Sequence, residues 1–250
     1  MGEDTGASAL PASFEMAWGV RERPTKGPKR GLSLDQIVAA GVKVAATDGL
    51  GAVSMNRVAK EVGTSAMALY RYVSSKDELL ALMGDTVIGE SRFTAGDGGW
   101  RVELTRWAWA ELNAYGNHPW SLQVPIHGPP VTPKTIAFLE QGLRCLAGTP
   151  LTPQDKLSAC LTLSSFTRAW AQLGAQLDPA YGTNDRELME GYERALRSVA
   201  DREHFPALYE VLDAHAFTPG QDDHLDDDFV FGVERLMDGF EALINLRGAV

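Results

Sequence analysis

Between Ser54 and Lys76, hydroxyl, amide and cationic side chains recur at a spacing that suits contact with a nucleic-acid duplex. Val58, Val62 and Leu69 form an internal contact, and Ala59 is small enough to sit where two steeply crossed helices touch. Gly63, four positions on, supplies the left-handed backbone that a tight turn demands. The outer face of the second helix is then Ser65, Ala66, Met67, Ala68, Tyr70, Arg71 and Tyr72. Small residues early in that helix let its end enter a major groove about 12 Å wide. Met67 and Ala68 suit thymine methyls, whereas Arg71 and the tyrosine hydroxyls reach bases or phosphates. Ser75 and Lys76 stand where a phosphate approaches a helix N-terminus. A plain helical hairpin with Tyr70 and Tyr72 as packing residues is the other reading of this spacing.

Charge favours the nucleic-acid reading. The chain carries a net charge of −10, yet residues 20–76 hold ten basic residues against four acidic ones, a local +6 that leaves −16 on the remainder. A basic module on an acidic body confines phosphate attraction to one end. Arg21, Arg23, Lys26, Lys29 and Arg30 form a basic arm before this segment. Such an arm lies along phosphates or in a minor groove, or serves as a solubilising tail.

The elements that must position these residues read as helices throughout. Ser33 with Gln36 spells a reciprocal capping box, opening a helix with Ile37, Gly41, Val44 and Ala45 on one face that stops at Asp48-Gly49. Ser54 caps a short helix ending at Gly63, a third runs from near Ser65 to about Val73, and Ser75 with Glu78 opens a fourth through Ile88. A glycine-rich loop around residues 94–99 precedes a helix from Trp100 to Asn117. Thr132-Pro133 and Thr152-Pro153 each place a capping hydroxyl before a first-turn proline. Asn184 caps a helix through Ala200, residues 221–228 form an acidic loop, and a last helix spans about Asp228 to Leu246. The expectation is an all-α chain: a flexible basic extension over 1–30, a three-helix DNA-binding domain over 31–77, and a larger bundle over 78–250. With no long apolar run and no signal-like N-terminus, a cytoplasmic protein away from membranes is expected.

Other chemistry finds little support. Cys145 and Cys160 lie in apolar surroundings without a neighbouring base and read as core thiols. His118 and His127 lack a third ligand, and the aspartates of 222–228 lack the turn glycine and closing glutamate of a calcium loop. No nucleophile elbow or phosphate-cradling glycine loop is present, so no enzyme, metal or cofactor is expected. The bundle does mix large aromatics with polar groups, the usual chemistry of a small-molecule pocket. Trp107, Asn113, His118, Trp120, Phe138, Thr162, Phe166 and Trp170 are its candidate lining.

The run from Ser54 to Leu80, above all Leu69-Tyr70-Arg71-Tyr72-Val73 followed by Lys76-Asp77-Glu78-Leu79-Leu80, resembles the tetracycline-repressor (TetR) family of transcriptional regulators. Phe229 to Glu241 resembles the final helix of that family's C-terminal domain, and the stretch between is a looser match. The resemblance implies DNA contacts from Ser54, Asn56, Arg57, Ser65, Ala66, Met67, Ala68, Tyr70, Arg71, Tyr72 and Lys76. Ser54, Tyr70 and Lys76 would take phosphates. Many relatives have arginine where this chain has Asn56, so operator preference differs there. It further implies a homodimer, with Val233, Leu236, Met237, Phe240 and Ile244 at the interface, on a palindromic operator. The histidines and asparagine that hold tetracycline and magnesium have no counterparts, so another small-molecule effector is expected to release a repressor from DNA. A ligand-insensitive dimer with the bundle as scaffold is the alternative.

Overall fold

The computed structural model describes residues 10–20, 32–91, 93–176, 185–217 and 227–249, with side chains of 185–188 left aside. Eleven α-helices and no strands occur among the described residues. The first, α1 (Ala12–Ala17), falls inside the stretch expected to be a flexible extension. Its Phe14 is buried against the head's core, the Ser13 hydroxyl donates to Glu78 at 2.7 Å, and the Trp18 indole just after it donates to the Val131 carbonyl at 2.8 Å. One aromatic and two long-range hydrogen bonds thus dock a helix too short to show a hydrophobic period. The basic arm over 21–30 lies outside the described residues.

Helices α2 (Leu34–Asp48), α3 (Met55–Glu61), α4 (Ala66–Leu69) and α5 (Lys76–Gly89) build the head. The capping box of Ser33 and Gln36 is complete in both directions. Ile37, Val44, Val53, Val58, Leu69, Val73, Leu79 and Met83 close a core from which water is excluded. Gly41 lets α2 meet α5 closely, since a Cβ there would lie 2.7 Å from the Met83 sulfur. Ser75 caps α5, but Glu78 does not return the bond to Ser75. Its carboxylate takes the Ser74 amide at 2.9 Å and the Ser13 hydroxyl. Most of α5 therefore belongs to the head's core, although the domain boundary expected at 77 placed it in the body.

The body comprises α6 (Trp100–Asn117), α7 (Pro133–Cys145), α8 (Pro153–Gln176), α9 (Asp185–Val199), α10 (Pro206–Asp213) and α11 (Asp227–Gly248). Helix α6 lies along α8 and touches α7 and α11. Trp107 stacks on Phe138 with centroids 4.7 Å apart and donates its indole N–H to the Phe138 carbonyl at 2.9 Å. Gly142 admits that indole, because a Cβ would sit 2.9 Å from its ring. The N-terminus of α7 is capped from another helix: the buried Asp85 of α5 accepts the Thr135 amide at 2.8 Å and its hydroxyl at 3.0 Å. Thr132, the expected cap, makes no such bond to the backbone. At α8 the expected Thr152 cap is present, accepting the Asp155 amide at 3.1 Å. Asn184 and the acidic loop through Asp226 lie outside the described residues, and no described helix is long and apolar enough to cross a membrane.

Candidate functional site

The face opposite the head's core carries the first candidate site. Ser54 caps α3 by accepting the Arg57 amide at 3.2 Å, and Gly63 turns the chain with φ of +71°. Beyond the turn, α4 is four residues long, shorter than the helix expected to reach Val73, and residues 70–72 continue it as a turn. Asn56, Ser65, Met67, Tyr70, Arg71 and Lys76 are exposed together with Ser54, while Ala66 and Ala68 are half-covered. Met67 is 75% exposed, an unusual placement for a thioether unless it meets a partner.

Two of the expected contacts are turned to other work. Arg57 bonds Glu61 at 2.8 Å and Asp48 at 3.0 Å, and Lys43 reaches the same Glu61 at 2.6 Å. This network holds the Glu61 carboxyl at about 2, Lys43 contributing most and Arg57 next. Arg57 thus braces α3 against the end of α2 and is not a free phosphate ligand. Tyr72 packs into the head's core and donates its hydroxyl to the Leu32 carbonyl at 2.6 Å, forty positions away in sequence, so it does not face a groove. Lys60, absent from the expected set, is exposed and forms no ion pair among the described residues, as do Arg71 and Lys76. Its place three residues after Arg57 on the same short helix was the available signal.

The second candidate site is a cavity of about 540 Å³ beneath the head. Helix α5 contributes Glu78, Ala81 and Asp85 to its wall, and the body contributes Trp107, Phe138 and Arg168. Of the eight residues expected to line a pocket, Trp107 and Phe138 line this cavity, Asn113 and Trp170 line other depressions of the body, and the remaining four stand elsewhere. Trp120 is buried in the head's core, and His118 joins Glu90 at 2.7 Å. Asn113 and Thr162 are exposed, and Phe166 and Trp170 pack on Phe229 of α11. Aromatic content marks a body's interior without saying which face of which helix meets the void.

Sequence reasoning missed the cavity's central polar group. Glu111 is 3% exposed; one oxygen accepts from the Ser164 hydroxyl at 2.7 Å and from Tyr115 at 3.3 Å. The other oxygen is buried without a partner, as is the Ser121 hydroxyl in the same wall. Burial pushes the Glu111 carboxyl up to about 7. The signal was a carboxylate in the stripe Leu104, Trp107, Ala108, Ala114 and Tyr115, which is apolar apart from Glu103 in the helix's first turn. Burial also pushes the Cys145 and Cys160 thiols up to about 11 and about 12, which keeps both protonated and unreactive.

Helix α11 requires a further correction. Val233 and Met237 are 2% and 1% exposed and, with Phe229, fill the body's own core; Leu236, Phe240 and Ile244 are half-buried against it. Their spacing aims them at α6 and α8, so Val233 and Met237 are not available to a second chain. Gly232 lets this happen, since a Cβ there would collide with the Phe166 ring. The exposed apolar side chains on these helices are Leu161 and Leu173 of α8 and Val230, Phe231 and Leu246 of α11.

Comparison with known proteins bears on both sites. Residues 37–83 match the family described as bacterial regulatory proteins, tetR family, and residues 94–244 match the tetracyclin repressor-like C-terminal domain. The HTH-type transcriptional repressor DrrR1 of Streptomyces coeruleorubidus is 36% identical, with 98% of this chain and 90% of that protein covered. The Streptomyces coelicolor TetR family protein ActR in complex with actinorhodin superposes with a TM-score of 0.70 at 25% identity, covering 85% of this chain and 98% of that one. Its complex with (S)-DNPA gives a TM-score of 0.70 at 23% identity, covering 84% and 98%.

Proposed function

The chain belongs to the TetR family of DNA-binding transcriptional regulators, and from that premise we propose that it is a homodimeric repressor released from a palindromic operator by a small molecule held in the 540 Å³ cavity. The observation that carries this reading is the cavity's shared wall. Glu78, Ala81 and Asp85 belong to α5, whose other side completes the core on which the reading helix rests. A ligand pressing on that wall acts on α5, through Met83 at Gly41 on α2, and from α2 through α3 on α4. Asp85 ties the same helix to the N-terminus of α7, so head and body move as linked parts. That ActR, a protein of the same fold, forms complexes with actinorhodin and with (S)-DNPA supports a small-molecule response in this chain.

On DNA, two α4 helices enter successive major grooves roughly 34–36 Å apart. Of the exposed residues, Ser65, Met67, Tyr70 and Arg71 are assigned to the groove, and Ser54, Lys60 and Lys76 to phosphates. Dimerisation is assigned to the outward faces of α8 and α11, through Leu161, Leu173, Phe231 and Leu246, in place of the inward-facing Val233 and Met237. Light scattering on Phe231→Asp checks this: a monomer with weakened operator binding is expected, and an unchanged dimer would refute the assignment.

The ligand response is tested by thermal-shift screening coupled to operator anisotropy. Compounds that raise the melting temperature are expected to weaken operator binding. A set of stabilising compounds with no effect on the operator would favour the ligand-insensitive scaffold.

A further inference from the structure

Glu111 poses a chemical problem that the protein alone leaves unsolved. A buried carboxylate oxygen with no donor carries the full cost of its desolvation, and such groups in folded proteins call for a partner. Ser164 and Tyr115 both serve one oxygen, Oε1, and leave Oε2 bare. The nearest cation, Arg168, is engaged elsewhere: it donates to the Leu122 carbonyl at 3.1 Å and lies over the Tyr115 ring. The cavity's charge leans the same way. Asp77, Glu78, Asp85 and Glu111 line it against the single guanidinium of Arg168.

From this geometry we infer that the effector is an organic cation, a protonated amine on an apolar aromatic body, whose N–H donates to Oε2 of Glu111 while the body lies against Trp107 and Phe138. The inference rests on the reading of this cavity as the effector site. An anionic ligand would meet four carboxylates and gain one guanidinium. A neutral hydroxyl would satisfy the bare oxygen but leave the buried charge uncompensated. An ammonium does both, and a charge-assisted bond in a low-dielectric wall is among the stronger polar contacts available. Burial already raises the Glu111 carboxyl to about 7, and an adjacent cation would restore its ionised form.

The test is calorimetry on the full chain with three probes of one shape: naphthylethylamine, naphthylethanol and naphthylacetate. The amine is expected to bind roughly tenfold or more tighter than the alcohol, with the acid weakest. Glu111→Gln keeps the side chain's shape and is expected to abolish the amine's advantage over the alcohol. Equal binding of amine and alcohol to the unaltered protein overturns the cation inference and leaves the cavity reading standing. An amine preference that survives Glu111→Gln in a variant with native circular dichroism also overturns it, by removing Glu111 as the anchor. If no probe binds, the cavity reading falls as well. The first comparison uses the unaltered protein and does not depend on how the variant folds.

Discussion

Two glutamates show how differently the head and the body are built. In the head, Glu61 sits at the end of α3 with Lys43 and Arg57 on its carboxylate, and its carboxyl is held at about 2. In the body, Glu111 lies among Trp107 and Tyr115 with one oxygen bare, and its carboxyl is pushed up to about 7. The head's core is closed by apolar side chains, with the Trp120 indole N–H its one buried polar atom without a partner among the described residues, and Glu61 is paired at the rim. The body retains an unfinished polar site beside a void. The carboxylate that braces the docking face is satisfied by its own chain, whereas the carboxylate beside the void is left for something else to complete.

The comparison breaks most readily in the head. Leu69→Ala removes a fully buried side chain at the contact of α3, α4 and α5, and a loss of about 2–5 kcal/mol is expected in urea unfolding. Operator binding should vanish with it. A loss well below that range would mean the head's core is less tightly closed than the burial indicates.

Glu111→Gln should act in the opposite direction. A carboxyl whose pKa is raised from 4.5 to about 7 on folding binds its proton more tightly in the folded chain, so its contribution is fully present below pH 4.5 and lost as pH rises through 7. Replacing it with a neutral amide removes that loss, and stabilisation on the order of 3 kcal/mol is expected on the alkaline side. Denaturant melts across pH check this: the variant's stability should stay flatter than the parent's from pH 4.5 to 7. Glu61 has the reverse sign, with its contribution present above its unfolded pKa of 4.5 and lost as pH falls toward 2. Parallel slopes in variant and parent would show that Glu111 is solvated.

The smallest effect sharpens the description of the DNA face. Lys60→Ala should lower the slope of log affinity against log salt by about 1, the signature of one lost phosphate contact. Arg57→Ala should leave that slope nearly unchanged, because its guanidinium is already occupied by Asp48 and Glu61. Titrations at several salt concentrations separate the two; a slope change for Arg57 alone would reverse their roles.

The head was legible in sequence where its determinants are local. The Ser33–Gln36 box, the Ser54 cap, Ala59 at the crossing and Gly63 in the turn each act within a few residues. Tyr72 was misread because its partner, the Leu32 carbonyl, is brought near only by the fold; for Arg57 the i,i+4 partner Glu61 was legible, and only Asp48 required the fold. The stripe on α11 has a clear helical period, but a period does not say whether the covering surface belongs to the same chain; Val233 and Met237 meet their own body. The cavity was the least legible part, since a void is defined by what several helices leave unfilled. Glu111 was a local trace of it, a mid-helix carboxylate on the buried face of α6, where the only other buried carboxylate, Glu103, is paired with Arg106.

In the proposed mechanism the cavity and the DNA-reading head share one equilibrium through α5. This is tested most directly by measuring an effector's affinity for the free protein and for the protein saturated with operator. Linkage requires the operator to weaken effector binding by the same factor by which the effector weakens operator binding. Equal, weakening factors are expected, and Asp85→Ala, which unties α5 from α7, should bring both closer to unity. An effector that occupies the cavity with the same affinity whether or not DNA is bound would contradict it.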